Sequence, residues 1–129
     1  MTRAKTLVLL TVLSLTACAT RATPEDAQMA DNLCAQGKVL LSQGKKAEAL
    51  DIYASAVKRD GRNARAWNGL GAANDMMGKR DAALDAYQHA VDLMPNDMLA
   101  KNNLAHLYLE MNQPDKAVEL LHQIGRAHV

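Results

Sequence analysis

The feature that most restricts this chain is a register of large and small residues that recurs every 34 positions. It is clearest between Asn63 and Asp97, where Trp67, Leu70, Gly71, Ala83, Tyr87, Ala90 and Pro95 stand at fixed offsets. Counting 34 residues back finds Leu33, Gly37, Ala49, Tyr53 and Ala56 in the places of Trp67, Gly71, Ala83, Tyr87 and Ala90. Counting 34 forward finds Leu104, Ala105, Ala117 and Leu121, with Lys101 in the place of Trp67. The apolar residues within each copy fall at helical spacing, and Val and Ile never alternate over a strand-length run, which argues against a sheet. Heavy use of Ala and the absence of Phe suit helices that approach closely. A hairpin of two short helices cannot bury its apolar face alone, so the copies must stack.

The pattern Trp67-x₂-Leu70-Gly71…Ala83-x₃-Tyr87…Pro95 resembles the tetratricopeptide repeat, departing only at Asn74, where that repeat has Tyr. The resemblance implies an all-α solenoid of stacked antiparallel helical hairpins. About three repeats fit within residues 24–123: near 30–63, 64–97 and 98–123. Helices are expected near Pro24–Ser42, Lys46–Arg59, Ala64–Met77, Arg80–Leu93, Met98–Met111 and from Pro114 onward. Thr23, Asn63 and Asp97 are natural N-caps, and Pro24 suits a first helical position. Gly44, Gly78 and Asn112 mark the turns inside the repeats, and Asp60-Gly61 ends the second helix.

Residues 1–17 have the parts of a secretory signal: Arg3 and Lys5, the apolar run Leu7–Leu15, then a small residue, Ala17. The run is shorter than the roughly 20 residues a membrane-spanning helix needs. Leu15-Thr16-Ala17-Cys18 resembles the bacterial lipobox, which implies lipidation at Cys18, anchoring by two or more acyl chains, and a short tether over residues 18–23. Ala19 after the cysteine, in place of Asp, implies passage to the outer membrane of a Gram-negative host, with the domain held on its periplasmic face. At the other end, residues 124–129 (Ile124 to Val129) resemble the in-frame translation of a sequencing adapter. The expectation is a non-native tail and a C-terminally truncated array, which sequencing the locus beyond Gln123 would test.

Catalytic chemistry finds no support. Gly69-Leu70-Gly71 opens like a dinucleotide fingerprint, but the third glycine and the preceding strand are absent, and Gly71 reads better as a packing residue. His89, His106, His122 and His128 lack metal-ligand spacing, and His89 looks like a solvated position supported by Asp85 one turn away. With Cys18 lipidated, Cys34 is the one remaining thiol and fits partly buried packing. No serine has a base and an orienting acid at motif spacing. Met76, Met77, Met94 and Met98 are expected to fill core gaps. The reading is therefore a non-enzyme with no metal and no cofactor. Fifteen basic residues, less Arg3 and Lys5, face fourteen acidic ones, leaving −1 after signal removal. Nothing in that balance argues for nucleic acid as a partner.

What remains is a groove. In this repeat family, positions two, five, nine, twelve and thirteen of each first helix line the concave face. They correspond here to Asp31, Cys34, Lys38, Leu41 and Ser42, to Arg65, Asn68, Ala72, Asp75 and Met76, and to Leu99, Asn102, His106, Leu109 and Glu110. The candidate partner-binding set is Lys38, Leu41, Arg65, Asn68, Ala72, Asp75, Asn102, His106 and Leu109, suited to an extended or helical peptide. The carboxylate clamp of chaperone-binding repeats is not matched, since Cys34, Gly69, Leu99 and Asn103 fill its places and only Lys38 fits. A lipobox joined to the phrases Asn68-Gly69-Leu70-Gly71 and Asn102-Asn103-Leu104-Ala105 resembles the Flp/Tad pilus-assembly lipoprotein family TadD. That resemblance implies an outer-membrane scaffold for pilus or secretion components. A type IV pilus pilotin escorting a secretin, and a scaffold for peptidoglycan enzymes or outer-membrane assembly, are the alternatives.

Overall fold

Thr23 starts the folded chain with a reciprocal cap. Its hydroxyl accepts from the Asp26 backbone N–H at 3.0 Å, while Asp26 Oδ2 accepts from the Thr23 backbone N–H at 3.2 Å. The Thr23 hydroxyl also donates to Asp26 Oδ2 at 2.8 Å, and this bond first, then the backbone one, holds the Asp26 carboxyl below its usual range. The computed structural model describes residues 21–126. The expected signal peptide, Cys18 and the last three residues of the chain lie outside them. Six helices follow: α1 (Pro24–Ser42), α2 (Lys46–Arg59), α3 (Ala64–Met76), α4 (Arg80–Leu93), α5 (Met98–Glu110) and α6 (Pro114–Arg126). None of the described helices is long and apolar enough to cross a membrane.

Local chemistry sets these bounds. Asn63 Oδ1 accepts from the Ala66 N–H at 3.0 Å, and Asp97 Oδ1 from the Leu99 N–H at 3.1 Å, so both cap as their side chains suggest. The turns inside the hairpins pass through positive φ at Gly44 (75°), Gly78 (73°) and Asn112 (57°). Glycine enters that region without strain, and asparagine tolerates it better than most residues. The third and fifth helices each stop one residue short of expectation, because Met77 and Met111 serve as their C-caps.

Each odd-numbered helix packs on the even-numbered one that follows it, and α2 then meets α3 as α4 meets α5. Successive odd helices also touch, α1 with α3 and α3 with α5, while α2 and α4, and α4 and α6, do not meet among the described residues. An array joined along one row of helices and splayed along the other must curve. Its concave face is therefore built from α1, α3 and α5.

The interior is made of alanine and a few rings. Ala30, Ala49, Ala56, Ala66, Ala73, Ala83, Ala90, Ala100 and Ala117 are fully buried, as are the larger Leu104 and Leu107. Tyr53 lies between two glycines of neighbouring repeats. A Cβ on Gly37 would come within 2.7 Å of its ring, and one on Gly69 would overlap it. Tyr87 sits likewise against Gly71, where a Cβ would be 2.5 Å from Cδ1. Asn74 accepts burial at the Tyr position of the repeat because its Nδ2 donates to the Leu70 carbonyl at 3.0 Å.

The methionine expectation is overturned. Met76, Met77, Met94 and Met98 are all exposed, at 44%, 37%, 53% and 44%. They cluster at the ends of α3, α4 and α5, where chain reversals hold side chains at the surface.

Candidate concave binding face

The candidate residues divide according to how far the neighbouring helix covers them. Cys34 is buried within the first hydrophobic cluster, and Leu41 packs against its edge. Burial, with Asp31 adding to it and Arg65 opposing, raises the Cys34 thiol to about 11, so it is a packing residue rather than part of the groove. Ala72 packs partly against the second cluster. Lys38, Arg65, Asn102, His106 and Leu109 are exposed, while Asn68 and Asp75 are half-buried. Leu99 and Leu109 leave 60% and 52% of their surface open on this face.

Three polar links cross between adjacent odd helices. Between α1 and α3, Asp31 Oδ1 accepts from Asn63 Nδ2 at 3.0 Å and faces Arg65 at 3.7 Å. Between α3 and α5, Asn103 Nδ2 donates to Asn68 Oδ1 at 3.0 Å. Further along the same two helices, Asp75 faces Glu110, with one oxygen of each within 4.8 Å of the other, and Glu110 Oε1 lies 3.6 Å from His106 Nδ1. Tyr87 is buried in the core cluster that joins these two repeats. Its own burial first, then the Asp75 and Glu110 charges, hold its hydroxyl well above the usual phenol range. Charge thus runs from a neutralised Asp31–Arg65 pair through paired amides to a carboxylate-rich end.

Burial, then the Glu110 charge, raises the Asp75 carboxyl from its ordinary 3.8, with His106 and Arg80 opposing. Between the unfolded and folded pKa values the native state binds more protons than the unfolded one. Stability therefore falls as pH climbs above 3.8 and stays lowered above the folded pKa. Asp75→Asn is expected to be more stable than the parent chain at pH ~7, with the difference vanishing below pH ~3.5. Urea unfolding at the two pH values measures it, and an equal midpoint at neutral pH would contradict the assignment.

Sequence spacing alone missed two groupings. Trp67 stacks on His89, with centroids 4.3 Å apart and planes 14° from parallel, and donates from Nε1 to the Gly61 carbonyl at 2.9 Å. The i,i+4 partner of His89 is present, its Nδ1 lying 3.8 Å from Asp85 Oδ2, but the ring also braces α4 against α3. The other grouping is Asp75, His106 and Glu110, which no linear motif joins. Positions twelve of one repeat and nine and thirteen of the next become neighbours only once the odd helices lie side by side.

Stacked helical hairpins with a polar concave face define a helical-repeat scaffold. Tetratricopeptide-repeat descriptions match residues 34–97 and 76–129, and the chain belongs to the tetratricopeptide repeat family. Over 80 residues it is 35% identical to protein bimA of Emericella nidulans, an alignment covering 62% of this chain and 10% of that one. A crystal structure of MamA is 30% identical with a TM-score of 0.69, covering 74% of this chain and 56% of that one. The second tetratricopeptide-repeat domain of Spaghetti, solved with an HSP90 peptide, matches with a TM-score of 0.73 over 78% of this chain and 93% of that one; at 18% identity the likeness is one of fold. This chain thus spans about a tenth of bimA and little over half of MamA. Repeats of this family are scaffolds for protein and peptide partners and are typically non-catalytic.

Proposed function

We propose that this chain is a lipid-anchored adaptor of the bacterial envelope. In this reading Cys18 carries the acyl chains and the concave face captures a peptide segment of a pilus or secretion component of the Flp/Tad type. The observation that carries it is the combination of the Leu15–Cys18 lipobox with a concave face that keeps Arg65, Asn102, His106, Leu99 and Leu109 open. Side-chain amides on that face suit the backbone of an extended or helical peptide, and the two leucines suit its apolar side chains. The place of the clamp asparagine is taken by Gly69, which is packed against Tyr53, so capture does not rest on a C-terminal carboxylate held by that clamp.

Two experiments separate the anchor from the groove. Cys18→Ser is expected to move the protein from the membrane fraction to the soluble one; retention on the membrane would remove the anchor. Photo-crosslinkers placed at Asn102 and Leu109 are expected to trap an envelope protein that crosslinkers on the outward Gln88 and Asp92 do not. Equal labelling from both faces would remove the groove.

A further inference from the structure

We propose that Asp75, His106 and Glu110 form a site for a divalent metal ion of the zinc class, one that clips the second repeat to the third. Asp75 comes from α3, and His106 and Glu110 stand one turn apart on α5. One ligand atom from each lies within 4.8 Å of the others. An imidazole nitrogen and carboxylate oxygens bind zinc at about 2.0–2.2 Å, which puts tetrahedral ligands roughly 3.3 Å apart. The His106 and Glu110 side chains are 68% and 37% exposed, so rotation about their own torsions can close the remaining gap.

The Tyr87 ring, 3% exposed, belongs to the cluster that joins the same two repeats, and the Asp75 and Glu110 charges act on its hydroxyl. Besides His106, Arg80 acts on Asp75, through space and without a hydrogen bond. The histidine decides the metal class, because Mg²⁺ and Ca²⁺ favour all-oxygen sites while zinc-class ions favour imidazole. Three protein ligands leave a fourth position open on the concave face. Apart from the Asn68–Asn103 bond, α3 and α5 meet only sparsely, so a metal here would brace the junction that shapes the groove. The inference needs no peptide partner and no lipid, so its failure would leave the adaptor reading untouched.

The test is calorimetric titration of the purified full chain with zinc, paired with thermal unfolding with and without the metal. One zinc per chain is expected, with a rise in Tm that magnesium does not reproduce. His106→Ala and Asp75→Asn should each weaken zinc binding at least tenfold and abolish the rise, while His89→Ala and His122→Ala leave both unchanged. Circular dichroism verifies that each variant is folded, as the exposure of His106 favours. Parent-like affinity in either His106→Ala or Asp75→Asn, or no binding by the parent chain at millimolar zinc, would overturn the site.

Discussion

Gly69→Ala is expected to destabilise the chain by about 2 kcal/mol or more, although a glycine-to-alanine change inside a helix ordinarily gains about 1 kcal/mol. The reason is the Tyr53 ring. A Cβ on Gly69 would overlap its Cδ1–Cε1 edge, and the ring cannot retreat because Gly37 holds the Cδ2–Cε2 edge, where a Cβ would approach to 2.7 Å. Tyr53 is 5% exposed and sits in the alanine cluster joining the first repeat to the second. Overpacking of a filled core costs roughly 1–3 kcal/mol and sometimes more, and here it must also exceed the propensity gain. The check is a double-mutant cycle. Tyr53→Leu alone should destabilise, but with Gly69→Ala it should recover part of the loss, giving a coupling of about 1 kcal/mol or more. Additive effects would mean that the ring and the glycine do not meet.

That contact shows which parts of the fold a single sequence exposes. The 34-residue register, the caps at Thr23, Asn63 and Asp97, and the turns at Gly44, Gly78 and Asn112 are local chemistry, and they place six helices almost residue for residue. Gly71 is legible as a packing residue because it falls at a fixed place in the repeat. Gly69 is not, because its partner lies sixteen residues earlier on another helix, and its neighbours instead suggest a phosphate loop. The exposed methionines mislead for a similar reason: hydrophobicity says that a residue can be buried, while only the helix ends show that these four are not. The concave face is partly legible. Repeat positions supply Arg65, Asn68, Asp75, Asn102 and His106, yet the depth of Cys34 and the convergence of Asp75 with His106 and Glu110 depend on how closely α1, α3 and α5 approach.

Tyr87 separates ring from hydroxyl most sharply. Tyr87→Ala is expected to cost about 3–5 kcal/mol, the range for removing a large buried ring. The ring is 3% exposed, packs on Gly71, and belongs to the cluster of Ala83, Ala90, Val91, Ala100, Leu104 and Leu107 that joins the second and third repeats. Its loss leaves a cavity at that junction which surrounding alanines are too small to fill. For a domain of this size the expected fall in Tm is about 10 °C or more. Tyr87→Phe keeps the ring and deletes only the hydroxyl, so its stability without metal should lie within about 1 kcal/mol of the parent. Two outcomes would revise this account. A large loss in Tyr87→Phe would mean that the hydroxyl holds the Asp75–Glu110 pair in the metal-free chain. A small loss in Tyr87→Ala would mean that the second and third repeats do not depend on the ring to stay stacked.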